Sequence, residues 1–466
     1  MNKIFRMAVL LPAFALPLAA SAQAVTNITD PIDQLFQQAA KNNPNFQQEL
    51  ALHQQQIAAK AAQYMPGISG QTANKTTGLS TVPVIFHVVL TSAQLQQMGG
   101  NAGVTARIQS QIDVMNADFN AANPDSTQIP AAFKPKYANM GVHFGLAHTD
   151  PNGHYTPGYE FVTTTKTGFD ANYNAGTTGS KNFCSDAKYA SSGGADAWDA
   201  TKYLNIWVIN ITPSGTGGVG TPPPYATYGG TSVLPWAEQG VALAYGVLGK
   251  RTAASQYFLA PSAAQGRALV HELGHFFNLF HTFGMSTYNN ANCQDDDGVL
   301  DTPPQVAPSF NATVASYPLT DGCSPNAPGI MFMNHMDYTS DTFRVMFSAG
   351  QKARSYVEID TGGFRHSLFL HPNLLNNGSN GIETPELATA FSMYPNPAHT
   401  NCTILFNTDN RPESITVLNQ MGQAVQQISV NNAQQVNIEL SSFAKGMYFV
   451  RCYFKEGTAT RKLLVD

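Results

Sequence analysis

The segment HELGHFFNLFHTFG, residues 271–284, constrains the fold most strongly, because it places three histidines within eleven positions. His271 and His275 are four residues apart, so on a helix their imidazoles project from one face and can bind the same cation. Glu272 is offset from both and lies close enough to contact a water on the metal. The spacing predicts a helix that carries two metal ligands and a general base.

His281 is the candidate third ligand. A straight helix would carry it past the metal, so the helix must end soon after His275. Asn278 tolerates the left-handed backbone conformation better than any residue except Gly, and a reversal there would bring His281 back. At the other end, Ser262 and Gln265 form a capping-box pattern that predicts the start of about four turns of helix.

Three imidazole ligands with an open fourth position are typical of catalytic zinc, although the spacing alone also admits other transition ions. Zinc lowers the pKa of a bound water towards about 7. Glu272 would take the proton of that zinc-bound water as it attacks a polarised carbonyl. The alternative is that these histidines are helix-face residues satisfied by ordinary hydrogen bonds.

Helix and strand patterns alternate in the surrounding sequence. VPVIFHVVL (82–90) predicts a buried strand, and residues 141–148 and 203–210 predict two more. Between them, one helical face is predicted from the apolar residues Ile108, Ile112, Met115 and Phe119. The pattern indicates an α/β or α+β domain. Three histidines fall in the predicted strands and are expected to be core or surface residues: His87, His143 and His148.

Composition excludes some partners. The net charge is -5 and no Lys/Arg run occurs, so no basic field is available for nucleic acid. Residues 1–22 have a basic start, an apolar stretch and small residues near Ala22, which predicts a signal peptide and a secreted protein. The alternative, a membrane anchor, needs an apolar run of about 20 residues. No later segment is predicted to span a membrane.

The chain is long enough for several units. Residues 23–80 are Gln- and Ala-rich, with a helix start at Asp30-Pro31, and are expected to form a helical prosegment. Residues 373–390 have the polar, Gly/Asn-rich composition of a linker. The short alternating runs of residues 391–466 predict a β-sandwich.

Three segments together resemble the metzincin metallopeptidases, and within them the pappalysin family with its bacterial members: 271–284, CQDDDGVLDTPPQ (293–305) and NHMDYTSDTFRVMFSAGQKAR (334–354). The resemblance implies a catalytic domain over residues 81–372, with a twisted mixed sheet, an active-site helix and protein or peptide substrates. It also implies that Met336 forms an apolar floor beneath the metal. Tyr338 would face the site as a metal-proximal or oxyanion-stabilising group.

The chain departs from the family pattern in two places. Members usually have Gly where this chain has Asn278. They also tend to have two disulfides near the Met-turn, which is the turn that contains Met336. The resemblance implies a bridge between Cys293 and Cys323, whereas Phe343 stands where another cysteine is expected. Some relatives block the zinc with a prosegment cysteine, which this chain lacks because its first cysteine is Cys184.

An acidic loop follows the histidine segment. Its oxygen-rich side chains suit Ca²⁺, and related enzymes bind structural calcium nearby. The alternative is a solvated acidic loop without a metal. The candidate calcium ligands are Asp295, Asp296, Asp297 and Asp301.

The C-terminal segment resembles the sorting domain of the Bacteroidetes type IX secretion system. The YPNP opening, Gly422 and the KGMY run at 445–448 carry that resemblance. It implies export through the type IX machinery; the alternative is a carbohydrate-binding or adhesive sandwich. Cys402 and Cys452 lie in this domain and are a candidate disulfide pair.

The sequence therefore predicts a secreted or cell-surface zinc endopeptidase. One alternative is a surface binding or adhesion protein that keeps zinc without catalysing a reaction. Intact Glu272 argues against it, because a structural site has no use for a base beside an open position. Another alternative is metal-dependent hydrolysis of a non-peptide amide.

Overall fold

A computed structural model describes residues 45–68, 81–172, 183–223, 235–251, 263–284, 293–375, 390–407, 411–420, 424–430, 432–454 and 457–466. Besides short 3₁₀ turns, these ranges contain the helices α1 (Phe46–Ile68), α2 (Ser92–Gln97), α3 (Gly100–Phe119), α4 (Arg267–Phe276) and α5 (Ala349–Ile359). The strands before α4 are β1 (Val82–Leu90), β2 (Phe144–Leu146), β3 (Tyr159–Thr163), β4 (Phe169–Asp170), β5 (Leu204–Ile209), β6 (Ile211–Thr212), β7 (Gly218–Gly220) and β8 (Val241–Ala244). Those near the C-terminus are β9 (Phe391–Tyr394), β10 (Asn401–Phe406), β11 (Ser414–Leu418), β12 (Ala424–Ser429), β13 (Gln435–Glu439), β14 (Gly446–Phe454) and β15 (Gly457–Val465).

A mixed sheet forms the frame of the first unit. Its strand order is β2-β1-β5-β8-β7, with β3 also pairing with β1. Every pairing in it is parallel except that of β7 with β8. β7 is therefore the antiparallel strand at one end of the described sheet. The predicted mixed α/β architecture is confirmed.

Both faces of the sheet are covered. Every residue of β1 is buried, as expected for a strand between two packed layers. Val84, Phe86 and Val88 pack in one cluster with residues of α3 and α4, while Val89 belongs to a second cluster with Trp207. The apolar run that predicted β1 is thus explained by burial on two sides.

The predicted helical face of α3 is confirmed. Its four apolar side chains are all buried against the sheet: Ile108, Ile112, Met115 and Phe119. Burial of such a side chain stabilises a fold by about 1.5–3 kcal/mol relative to exposure. This helix therefore fixes one face of the sheet, against which α4 also packs.

The strand predicted at 141–148 is shorter than expected. Gly141 has φ 71°, and regular pairing is confined to β2. The side chain of Asn116 accepts a hydrogen bond from the Phe144 N–H and donates one to the Phe144 carbonyl, both at 2.9 Å. This side chain thus satisfies main-chain groups of Phe144 in place of a neighbouring strand. His143 and His148 consequently lie outside β2.

The N-terminal helix α1 packs on α5. Leu50 and Ile57 are buried, and the Tyr64 hydroxyl donates to Asp360 at 2.9 Å. The guanidinium of Arg354 on α5 donates through Nη2 to Gln54 Oε1 at 2.6 Å. Helical structure in the predicted prosegment is therefore present at 46–68. The helix start expected at Asp30-Pro31 and the signal peptide lie outside the described residues.

The C-terminal unit has two antiparallel sheets, β13-β10-β9 and β12-β11-β14-β15. They share one apolar core, which includes Ile404, Val417 and Val450. The suggested bridge between Cys402 and Cys452 is wrong, because both are buried free thiols. They lie on β10 and β14 in different sheets and serve as small apolar core residues.

The bridge between Cys293 and Cys323 is present. Cys184, like the two C-terminal thiols, is buried and not in a disulfide. Among the described residues, no helix combines the length and apolar character needed to cross a membrane.

Candidate metal centre

The active-site helix α4 begins differently from the prediction. Ser262 lies outside the described residues, and α4 follows Gly266, which has φ 77° and provides no side-chain cap. Asp341 supplies the cap from a distant part of the chain. Its Oδ2 accepts from the Gln265 N–H at 2.7 Å and from the Arg267 N–H at 3.4 Å. The helix is thus shorter than expected, and a carboxylate caps its positive end.

Arg267, the first residue of α4, anchors the helix through buried ion pairs. Its Nε lies 2.9 Å from Asp118 Oδ2, and its Nη2 lies 2.7 Å from Asp125 Oδ1. Its Nη1 donates to the Asp341 carbonyl at 2.8 Å. One side chain therefore joins α4 to α3 and to the segment after the Met-turn.

Replacing Asp341 with Asn should remove a contribution that makes the protein less stable as pH rises. Burial raises the pKa of folded Asp341 to about 6, whereas an unfolded Asp titrates near 3.9. The folded state binds more protons between these values, so Asp341 makes the free energy of unfolding fall as pH rises from about 4 to 6. In denaturant titrations between pH 4 and 6, the slope of the free energy of unfolding against pH should be more positive in Asp341→Asn by up to about 1.4 kcal/mol per pH unit. An unchanged slope would contradict this assignment.

The three predicted ligands meet at one point. The Nε2 atoms of His271 and His275 are 3.3 Å apart, those of His275 and His281 are 3.1 Å apart, and those of His281 and His271 are 3.3 Å apart. All three side chains are buried. Within the described ranges, theirs is the one cluster of at least three His, Cys, Asp or Glu side chains with the spacing of metal ligands.

The hydrogen bonds of two of these rings fix their protonation. His271 Nδ1 lies 2.7 Å from the His335 carbonyl, and His275 Nδ1 lies 2.8 Å from the Leu279 carbonyl. A carbonyl oxygen can only accept, so both Nδ1 atoms carry hydrogens, and Nε2 is the nitrogen that each ring presents to the common point as a possible metal ligand. Facing lone pairs repel unless a cation lies between them.

Zinc fits this donor set. Tetrahedral ligands at about 2.0–2.1 Å from zinc lie about 3.3–3.4 Å from one another, close to the observed nitrogen separations. Three neutral imidazoles leave a fourth position for water or substrate. The chemistry of the donors and their spacing therefore match a catalytic zinc site.

The predicted reversal occurs at Asn278. Helix α4 ends at Phe276, and Asn278 has φ 73°, in the left-handed region. The Leu279 N–H then donates to the Gly274 carbonyl at 2.9 Å, a bond that closes the helix end. The chain turns back, which brings His281 to the other two ligands.

Two glycines of β7 position Glu272. The Gly220 N–H donates to Glu272 Oε2 at 2.8 Å. A Cβ added at Gly220 would lie 2.2 Å from the Glu272 carbonyl oxygen, and one at Gly218 would lie 2.5 Å from Glu272 Cγ. Only glycines allow the strand to approach α4 this closely. Sequence reasoning missed them, although alternate glycines in a strand are a sign of close packing.

Met336 and Tyr338 adjoin the histidine cluster. Met336 is fully buried, and a Cβ added at Gly274 would lie 2.3 Å from its sulfur. Met336 therefore packs directly against α4. The ring centroid of Tyr338 lies 4.9 Å from that of His281 and 5.7 Å from that of His271.

Asp337 holds the Met-turn in place between these two residues. Its Oδ1 accepts from the Ser309 N–H at 2.8 Å, and its Oδ2 accepts from Gln305 Nε2 at 3.1 Å. His335 is buried, and its backbone carbonyl accepts a hydrogen bond from His271 Nδ1.

Among the described residues the four aspartates of the acidic loop form no cluster of three with the spacing of metal ligands, although Asp296 contacts Asp297. Asp297 is buried and accepts from the Val299 N–H and from Thr302 Oγ1. Asp301 accepts from Ser348 Oγ at 2.6 Å and from the Gly350 N–H at 2.9 Å, at the start of α5. These two carboxylates serve internal hydrogen bonds. Asp297 is therefore buried and Asp296 is exposed, and calcium binding by this loop stays a prediction.

His87 has a structural environment. Its Nδ1 lies 2.6 Å from Glu160 Oε1, its Nε2 lies 2.9 Å from Asn205 Oδ1, and its ring stacks on Trp207. These contacts tie β1 to β3 and β5. His87, which was expected to be a core or surface residue, lies in the core.

Two family profiles match the chain. The profile described as "Pregnancy-associated plasma protein-A" matches residues 188–359, and that described as "Secretion system C-terminal sorting domain" matches residues 392–466. The first covers α4, the three histidines and the Met-turn. It begins well after residue 81, so the predicted start of the catalytic domain is not part of the match.

Solved structures are similar as well. Mature mirolysin of Tannerella forsythia in complex with a cleaved peptide is 31% identical, with a TM-score of 0.53, over 64% of this chain and 99% of that chain. A promirolysin mutant of the same organism is 28% identical, with a TM-score of 0.58, over 74% and 98% of the two chains.

The curated relatives that are similar to this chain are named extracellular metalloproteases. An extracellular metalloprotease of Pyricularia oryzae is 29% identical over 61% of this chain and 77% of its own length. One of Colletotrichum graminicola is 38% identical, but the alignment spans only 20% of this chain and 29% of the relative.

The histidine cluster, the left-handed reversal and the underlying methionine, set in this fold, define the metzincin class of metallopeptidases. Within that class the chain belongs to the pappalysin family. It is a secreted or cell-surface metalloendopeptidase with a C-terminal type IX sorting domain.

Proposed function

We propose that this chain is a zinc-dependent endopeptidase in which His271, His275 and His281 hold the metal and Glu272 is the general base. The observation that carries the proposal is the buried triangle of Nε2 atoms with Glu272 on the same helix. Zinc bound there would supply Lewis acidity, polarising the scissile carbonyl and lowering the pKa of water towards about 7.

Glu272 moves the proton in this proposal. Its Oε2 accepts from the Gly220 N–H, which fixes the carboxylate beside the ligand helix. From there it would take the proton of the attacking water and pass it to the leaving amine nitrogen. Without that transfer the amine would leave as a poor, unprotonated group.

Tyr338 is the candidate for stabilising the oxyanion that forms on the carbonyl. Its ring packs on His281 and His271, and only 8% of the residue is exposed. A phenol in such a low-dielectric position donates a strong hydrogen bond to developing negative charge. Met336, packed against Gly274, would keep the floor of the site apolar.

The substrate is proposed to be an extended polypeptide. β7 is the last described strand on its side of the sheet, and Glu272 lies directly against it. An extended chain can add to the edge of such a strand through main-chain hydrogen bonds. That geometry would select peptide backbone over a small amide.

Metal removal tests the proposal. The purified secreted protein should cleave reduced casein, and 1,10-phenanthroline should lower the rate at least about 100-fold, because an activated water is lost with the metal. One equivalent of Zn²⁺ added after removal of the chelator should restore it, and Ca²⁺ alone should not. Cleavage that survives complete zinc removal would refute the proposal. Stoichiometric zinc without cleavage would favour the non-catalytic binding protein.

We also propose the division into a signal peptide (1–22), a prosegment (23–80), a catalytic domain (81–372), a linker (373–390) and a sorting domain (391–466). The position of α1 before β1 and the separate C-terminal core support it. N-terminal sequencing and intact mass of the secreted enzyme would test these boundaries. A mature N-terminus within β1 would contradict the division.

A further inference from the structure

The turn that delivers His281 uses Asn278, which needs more support than Gly would. A side chain in the left-handed region is disfavoured, and Asn tolerates it only when local hydrogen bonds stabilise it. Here φ is 73° and the residue is fully buried. The support for this conformation must come from neighbouring side chains.

Two side chains of α5 contact Asn278. Its Nδ2 donates to Glu358 Oε1 at 2.8 Å, and its carbonyl accepts from Arg354 Nε at 2.7 Å. Glu358 and Arg354 are both buried, so these bonds are shielded from water. Hydrogen bonds that involve a buried charged side chain are strong and costly to lose.

This turn controls two of the three ligands. His281 follows it by three residues, and the carbonyl of the next residue, Leu279, accepts from His275 Nδ1 at 2.8 Å. A displaced turn would move one ligand and remove the hydrogen bond that orients the other. Partners that orient ligands in this way contribute strongly to metal affinity.

We propose that Glu358 is a positioning residue for the metal site, which holds the Asn278 reversal and, through it, His281 and the Leu279 carbonyl. The proposal rests on the proposed function only in taking the three histidines as zinc ligands. Arg354 assists from the same helix by binding the backbone of the turn. The hydrogen bonds from α5 thus hold Asn278 in the left-handed backbone conformation that a glycine would adopt without them.

A double-mutant cycle tests this role, with zinc affinity of the full chain measured by competition with a chelating dye. Glu358→Ala should weaken zinc binding by about 10- to 100-fold, the range for residues that orient metal ligands. Asn278→Gly should cost less than about threefold, because Gly adopts the same φ unaided. In the Asn278→Gly background, Glu358→Ala should then cost less than about threefold, since there is no side chain left to hold.

A second pair of variants covers the case in which Glu358→Ala does not fold. Asn278→Asp places a carboxylate against Glu358 and should weaken zinc binding at least about tenfold, because the donor to Glu358 is lost and Arg354, whose Nη2 lies 3.4 Å from Asn278 Oδ1, offsets the repulsion between the two carboxylates only in part. Adding Glu358→Gln should recover most of that affinity, since the Gln amide can donate to the new carboxylate.

The outcomes separate the two proposals. A parent protein that binds no zinc would refute the proposed function itself. If the parent binds zinc normally and Glu358→Ala weakens zinc binding equally in the parent and in Asn278→Gly, the positioning role is overturned. Failure of Glu358→Gln to rescue Asn278→Asp would overturn it as well.

Discussion

Replacing Glu272 with Gln should lower kcat/KM for a peptide substrate by about 10²- to 10⁴-fold, the usual contribution of a positioned general base. Gln keeps the acceptor for the Gly220 N–H, so the close contact between β7 and α4 should survive. Zinc content, measured by atomic absorption, should stay at that of the parent because the three histidines remain. The loss should therefore fall on the chemical step and not on the metal.

The matched control is Glu238→Gln. Glu238 is a buried glutamate whose carboxylate accepts from the Tyr189 hydroxyl at 2.9 Å and from Ser185 Oγ and lies near the buried Lys188 ammonium. Its replacement should lower stability, because Lys188 loses a buried counter-charge, but should leave kcat/KM of the folded protein within about threefold, because Glu238 is not on the ligand helix. A Glu272→Gln variant that binds zinc fully and keeps more than a tenth of parental activity would exclude Glu272 as the base.

Replacing Arg267 with Met should lower the free energy of unfolding of the catalytic domain by about 3–5 kcal/mol, the cost of removing one partner of a buried ion pair. Arg267 and Asp118 are 5% and 1% exposed, so the remaining carboxylate could not be hydrated without unfolding. Denaturant unfolding followed by tryptophan fluorescence suits this test. The three tryptophans, Trp198, Trp207 and Trp236, precede α4, and none lies in the C-terminal sandwich.

Lys166→Met provides the comparison. Lys166 pairs with Asp186 at 2.7 Å, but the two side chains are 37% and 49% exposed. Exposed pairs contribute about 0–1 kcal/mol, so this variant should unfold close to the parent. Equal effects of the two substitutions would mean that Arg267 does not anchor α4 as described.

Spacing along the chain predicted what depends on local geometry. The ligand pair at His271 and His275 followed from the period of a helix, and the reversal followed from the backbone tolerance of Asn278. Strand β1 followed from a run of apolar residues that only a doubly covered strand would bury. These features depend on residues within a few positions of one another.

Features that depend on distant partners could not be predicted in this way. Asp341 caps a helix that lies more than seventy positions earlier, in place of the expected Ser262 and Gln265. The fit of Gly220 against Glu272 joins a strand to a helix across the fold. Cys402 and Cys452 share a core but lie in different sheets, and cysteine count alone cannot reveal that.

The packing of α1 on α5 has a consequence for maturation. Cutting the chain between α1 and β1 would end covalent continuity but leave the buried Leu50 and Ile57 and the Gln54–Arg354 hydrogen bond intact. The severed helix would then be a bound peptide whose departure has its own rate and concentration dependence. If the proposed prosegment is removed by such a cut, its release would therefore be set by dissociation or by further digestion of α1, and freshly cut protein at high concentration would keep its own fragment.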